Sequence, residues 1–193
     1  ASKAGLIYKN AFARRDIIKA KYEKFAKDEN TKVNAGALYP YEVVEKAISL
    51  MGSQSCWNRK SVALDNVDRL MINKYWDNLT DYFNGAKLNA LCMVDTSGSM
   101  SGTPINVATA LGLYCAEKAG GPFANHYISF SSRPQLIETT GVDFCDKVDR
   151  IVRANLCENT NIEAAFDMVL NVAYTHQLSQ EDLPEYILVI STS

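Results

Sequence analysis

The run Leu88-Asn89-Ala90-Leu91-Cys92-Met93-Val94 passes straight into Asp95-Thr96-Ser97-Gly98-Ser99, and this junction limits the possible folds more than any other stretch. A short apolar run without polar alternation marks a strand buried on both faces. A helical pattern follows over 104–119, with Thr103 as its N-cap and Gly120-Gly121 beyond its end. Next come a strand at His126–Phe130, a short strand near Gln135–Glu138, a helix over 143–153, a helix over 162–177 and a buried strand at 186–191. Strands alternating with helices of this length predict an α/β fold, a doubly wound and mostly parallel sheet with helices on both faces.

The residues before the junction read differently. Residues 4–28 form a basic amphipathic pattern, with Leu6, Ile7, Ile17, Ile18, Tyr22 and Phe25 among Lys9, Arg14, Arg15, Lys19, Lys21, Lys24 and Lys27. A second helix is expected over 40–51, with Pro40 in its first turn and Gly52 at its end. A third is expected over 61–83, from the spacing of Leu64, Val67, Leu70, Met71, Tyr75, Leu79 and Tyr82, with Tyr75, Trp76 and Tyr82 serving packing. The chain thus divides into a basic helical segment, 1–87, and an α/β domain, 88–193.

Charge follows the same division. The net charge of −2 conceals 15 Lys/Arg against 10 Asp/Glu in residues 1–87, and 5 against 12 in residues 88–193. A basic arm on an acidic domain suits a partner-binding protein. No apolar run approaches the ~20 residues that span a bilayer. The opening Ala1-Ser2-Lys3-Ala4-Gly5 leads into no signal-peptide core. With no initiator Met, the chain is expected to be an internal piece of a longer polypeptide. Cys56, Cys92, Cys115, Cys145 and Cys157 are scattered and form no C-x-x-C pair, so they read as reduced residues of an intracellular, cytoplasmic protein. His126 and His176 have no ligand spacing with any cysteine, which argues against zinc.

Ligands of open α/β sheets bind beyond the carboxyl ends of the strands. There the first strand presents a carboxylate and two hydroxyls at i, i+2 and i+4, Asp95, Ser97 and Ser99, with Gly98 relaxing the turn. Such oxygens suit a hard cation, since Mg²⁺ takes about six oxygens and keeps exchangeable waters. A P-loop is excluded because no Lys follows Gly102, and a nucleophile elbow because Met100 stands where its serine belongs. Asp143, Asp146 and Asp149 read as a solvated helix face, not a second metal site.

The Asp95-Thr96-Ser97-Gly98-Ser99 motif resembles the metal-ion-dependent adhesion site of von Willebrand factor type A (vWA) domains. With Ala37-Leu38-Tyr39-Pro40, "NALCMVDTSGSMSG", "ATALGLYCAE" and "ENTNIEAAFDMVL", the chain resembles, over about residues 35–193, the vWA family related to TROVE/Ro-type proteins. The resemblance implies Mg²⁺ or Mn²⁺ ligands at Asp95, Ser97 and Ser99, with Thr160 in a second loop. The third loop departs from the pattern, because Thr192 stands where family members carry an Asp. That leaves one carboxylate, weaker binding and a more electrophilic ion. The vWA sheet also continues past its fourth strand, so the sheet is expected to be incomplete at 193 and the native chain to run on.

The leading expectation is a non-enzymatic module that binds a protein partner's Asp or Glu through the metal. The alternatives are a TROVE/Ro-like RNA-binding protein using its basic helices, and a structural part of a large assembly, viral ones included. Hydrolysis has no placed nucleophile or carboxylate pair.

Overall fold

The structure is a computed structural model that describes residues 16–28, 30–52, 65–130, 132–154 and 159–192. The first half of the basic pattern at 4–28 lies outside these residues, as do the start of the pattern at 61–83, Cys56 and Cys157. The described helices are α1 (Asp16–Lys27), α2 (Pro40–Leu50), α3 (Asn66–Asp77), α4 (Thr103–Lys118), α5 (Phe144–Ala154) and α6 (Ile162–Thr175). The strands are β1 (Ala90–Asp95), β2 (His126–Phe130), β3 (Gln135–Glu138) and β4 (Tyr186–Ile190).

The expected α/β class holds. Among the described residues one four-stranded sheet has the order β3-β2-β1-β4, with β1 parallel to β2 and to β4, and β3 antiparallel to β2. Every residue of β1 is buried, as its unbroken apolar run requires. Its side chains alternate between two layers. Cys92 and Val94 join Tyr127 and Ile137 on one face, beneath α4 and α5. Leu91 and Met93 join Ile128 and Phe130 on the other, against Ala165 and Val169 of α6.

The helical segment packs onto the first face and shares its core. Pro40, Val43, Val44 and Ala47 recur at helical spacing and bury the stripe that sets α2 against α4. On α3 the buried side chains are Met71, Ile72, Tyr75 and Trp76. Tyr82 is exposed but also packs, its ring meeting Tyr114 edge-on at 5.9 Å and its N–H donating to Tyr114 Oη at 2.9 Å. Lys74 ties α1 to α3, donating to the carbonyls of Phe25 at 3.0 Å, Thr31 at 3.1 Å and Asp28. A cation there satisfies acceptors that the end of α1 leaves unpaired.

Asp143 and Asp146 correct the expected solvated face. Arg69 of α3 donates to Asp143 through Nε at 2.6 Å and Nη2 at 2.7 Å, and also to Asp146. Asn73 adds a bond to Asp143 at 2.7 Å. These acids therefore bolt α5 to α3. Burial alone pushes the Asp143 carboxyl up, yet Arg69, the Asp146 N–H and Asn73 outweigh it and hold the group below its ordinary value. A depressed folded value means stability that is present above the unfolded value, near 3.9, and lost as pH falls through the folded one. Asp143→Asn should therefore cost about 1–2 kcal/mol at pH 7, allowing for partial exposure, and flatten the acid limb below about pH 4 in urea titrations. An unchanged acid limb would deny the ion pair that role.

Several features differ from the sequence reading. Asp65 caps α3, accepting from the N–H groups of Val67 and Asp68, and the helix stops at Asp77 before a run of turns. Thr103 lies inside α4, whose N-cap is Gly102. Expected as a buried strand, β4 is exposed or half-buried throughout. The reason is coverage: α4 lies against β1 and β2, and α6 against β2 and β3. Ile162, Phe166, Leu170 and Tyr174 form an exposed apolar stripe on α6. Among the described residues, no helix is long and apolar enough to cross a membrane.

Candidate metal centre

The parallel strands carry the Asp95 motif to one edge of the sheet. Asp95 is the last residue of β1, and the register Val94↔Ile190 puts Ser191 beside it at the end of β4. A single 3₁₀ turn, Gly98–Met100, then reverses the chain, pinned by Met100 N–H to Ser97 O at 3.1 Å and by the buried Met100 side chain. Gly98 does not supply the backbone freedom expected of it. The positive φ, 89°, belongs to Gly102, which admits the chain to α4.

The geometry around the carboxylate is tight. Asp95 is only 2% exposed. Its Oδ1 accepts from the Ser97 N–H at 2.8 Å, and its Oδ2 from the Ser191 hydroxyl at 2.5 Å. The Ser97 and Ser99 hydroxyl oxygens stand 3.0 Å apart. Among the described residues no Lys, Arg or His pairs with Asp95. A buried carboxylate with hydroxyl and N–H donors but no cation is an unusual arrangement, since unpaired buried charge is costly.

Three of the expected ligands, Asp95, Ser97 and Ser99, are thus gathered. Thr192 is turned elsewhere, and its hydroxyl donates to Met100 Sδ at 3.3 Å. Thr160 is exposed, one residue ahead of Asn161, whose side chain caps α6 by accepting the Ala164 N–H at 3.0 Å. Sequence reasoning passed over Ser191. The signal for it was available, because Asp95 and Ser191 each follow the apolar body of a strand directly, and parallel pairing brings such positions side by side.

No group of three or more His, Cys, Asp or Glu that could hold an ion occurs among the described residues. A cation at this edge would therefore rest on one carboxylate and neutral hydroxyls, a donor set suited to Mg²⁺ or Mn²⁺ and unsuited to softer metals. Nor does the thiol chemistry lead here. The Cys145 thiol is pushed up to about 12 by burial and by the neighbouring Asp143 charge. The hydrogen bond with Cys115, and burial after it, likewise hold Cys92 in its protonated form.

The fold and this strand edge define an α/β protein with an oxygen-rich cluster where its parallel strands end. Residues 89–192, over half the chain, match the family described as domain of unknown function (DUF7788), and the chain belongs to that family. A relative from Acanthamoeba polyphaga mimivirus, described as uncharacterized protein L728, is 29% identical over 175 residues. That match covers 88% of this chain and 28% of the relative, so the chain spans little more than a quarter of the viral protein's length.

Proposed function

We propose that the protein is a non-enzymatic interaction module of the vWA kind, capturing an acidic residue of a protein partner through Mg²⁺ or Mn²⁺. The observation that carries the reading is the buried carboxylate of Asp95, which takes one N–H and one hydroxyl and, among the described residues, no Lys, Arg or His. The Ser97 and Ser99 hydroxyls, hydrogen-bonded to each other at 3.0 Å, stand at a spacing that a shared ion would accept. Neighbouring ligands of an octahedral ion lie about 3.0 Å apart, √2 times a bond of about 2.1 Å. Asp95 supplies the charge, Ser97 and Ser99 supply neutral oxygens, and Thr160 would close from the loop before α6. When bound, the ion offers a Lewis-acidic position to a carboxylate. The free thiols Cys92, Cys115 and Cys145 suit an intracellular setting.

A titration of the full chain with Mn²⁺ tests this directly. Saturable binding is expected, with Asp95→Asn weakening it about 100-fold or more, since the only charged ligand is gone. The same variant should melt higher than wild type in EDTA, because the asparagine oxygen accepts the Ser97 N–H, its NH2 donates to a turned Ser191 hydroxyl, and no buried carboxylate is left without a cationic partner. Absence of saturable binding by the wild type, or undiminished binding by the variant, would refute the reading.

A second reading, a component of a larger assembly, draws on the viral relative and on the exposed apolar stripe of α6. It expects assembly to be indifferent to EDTA and to Asp95→Asn.

A further inference from the structure

We infer that Ser191 is the positioning residue of this site, fixing the Asp95 carboxylate in the orientation that receives the cation. The inference rests on the metal-binding reading above and adds a residue that the motif does not contain. Ser191 follows β4 directly and lies beside Asp95 because of the Val94↔Ile190 register. Its hydroxyl donates to Oδ2 at 2.5 Å, while the Ser97 N–H donates to Oδ1 at 2.8 Å. One donor on each oxygen fixes the plane of the carboxylate and leaves each oxygen a lone pair for an ion.

Thr192 cannot share this task. Successive side chains leaving an extended strand point to opposite sides. With Ser191 turned to Asp95, Thr192 is turned to the Met100 sulfur, 3.3 Å away, where it braces the turn that carries Ser97 and Ser99. The third-loop contribution therefore comes one residue earlier than the Asp pattern implies, and it acts through Asp95. Hydrogen-bond partners of ligating carboxylates typically set 10–100-fold of metal affinity. Their weight is greatest where a single carboxylate must hold the ion.

The experiment is a Mn²⁺ titration of the full chain, with free Mn²⁺ read by electron paramagnetic resonance. Ser191→Ala is expected to weaken binding about 10–100-fold, and Ser191→Thr, which keeps the hydroxyl, to restore most of it. Thr192→Val should weaken binding by less than Ser191→Ala does, since its hydroxyl reaches the turn through Met100 and not Asp95. Melting in EDTA checks that each variant is folded, and rescue by threonine separates orientation of Asp95 from simple packing. Undiminished binding by Ser191→Ala, failure of threonine to rescue, or loss confined to Thr192→Val would each overturn the role of Ser191 while leaving the metal reading intact. A wild type that binds no Mn²⁺ would overturn both.

Discussion

Replacing Trp76 by alanine is expected to lower the unfolding free energy by about 3–5 kcal/mol, a large share of the 5–15 kcal/mol that holds a typical domain folded. Trp76 is the point where three helices meet. Its ring stacks on Phe144 of α5 at 4.2 Å between centroids and meets Tyr114 of α4 edge-on at 6.3 Å. Its Nε1–H donates to Glu117 of α4 at 2.9 Å, and Glu117 in turn accepts from Lys147 of α5 at 2.6 Å. Alanine would leave a cavity with aromatic walls and take one donor from Glu117. Phenylalanine would keep the stack and lose only the indole N–H, so about 1–2 kcal/mol is expected there. Urea denaturation followed by circular dichroism distinguishes the two. Equal losses in both variants would mean that the hydrogen bond, not the ring packing, secures the junction.

Gly112→Val should be comparably damaging, at about 3 kcal/mol, for the opposite reason. A Cβ at Gly112 would stand 2.6 Å from Val94 Cγ2 and 3.6 Å from the Tyr127 ring. Glycine here is what lets α4 lie close on β1. Alanine gains up to about 1 kcal/mol of helix propensity, but Val94 is buried and stiff about χ1, so the helix must lift and alanine still loses overall. The check is a double-mutant cycle. Combined with Val94→Ala, which removes the obstructing methyl, Gly112→Val should recover about 1 kcal/mol or more relative to additivity. Strict additivity would mean that the strain is relieved elsewhere.

How much of this was legible in the sequence depended on how local the determinant was. The bounds of β2, at His126–Phe130, and the start of α2 at Pro40 were readable because a turn or an apolar run fixes them locally. α3 ran too long on paper because Leu79 and Tyr82 continue its spacing, although the chain turns after Asp77. The exposure of β4 was not legible. Its five apolar residues resemble β1, and only the placement of the covering helices separates them. Asp95, Ser97 and Ser99 were legible as neighbours because one turn holds all three. Ser191 escaped notice because its partner is 96 residues away. Arg69 escaped in the same way, since two of the acids assigned to solvent were waiting for a cation on another helix.

That span of 96 residues between Asp95 and Ser191 also orders events in time. β1 and β2 meet across one helix, whereas β4 must return past two more helices before it can pair with β1. Long-range closures of this kind come late and set the pace of folding. A chain that has zipped β1 to β2 and β3 but has not captured β4 carries Asp95 with only one of its two donors. Far-UV circular dichroism, dominated by helix, would register such a chain as nearly finished. The onset of the proposed cation affinity would not, and in a stopped-flow refolding experiment it would clock the last strand into place.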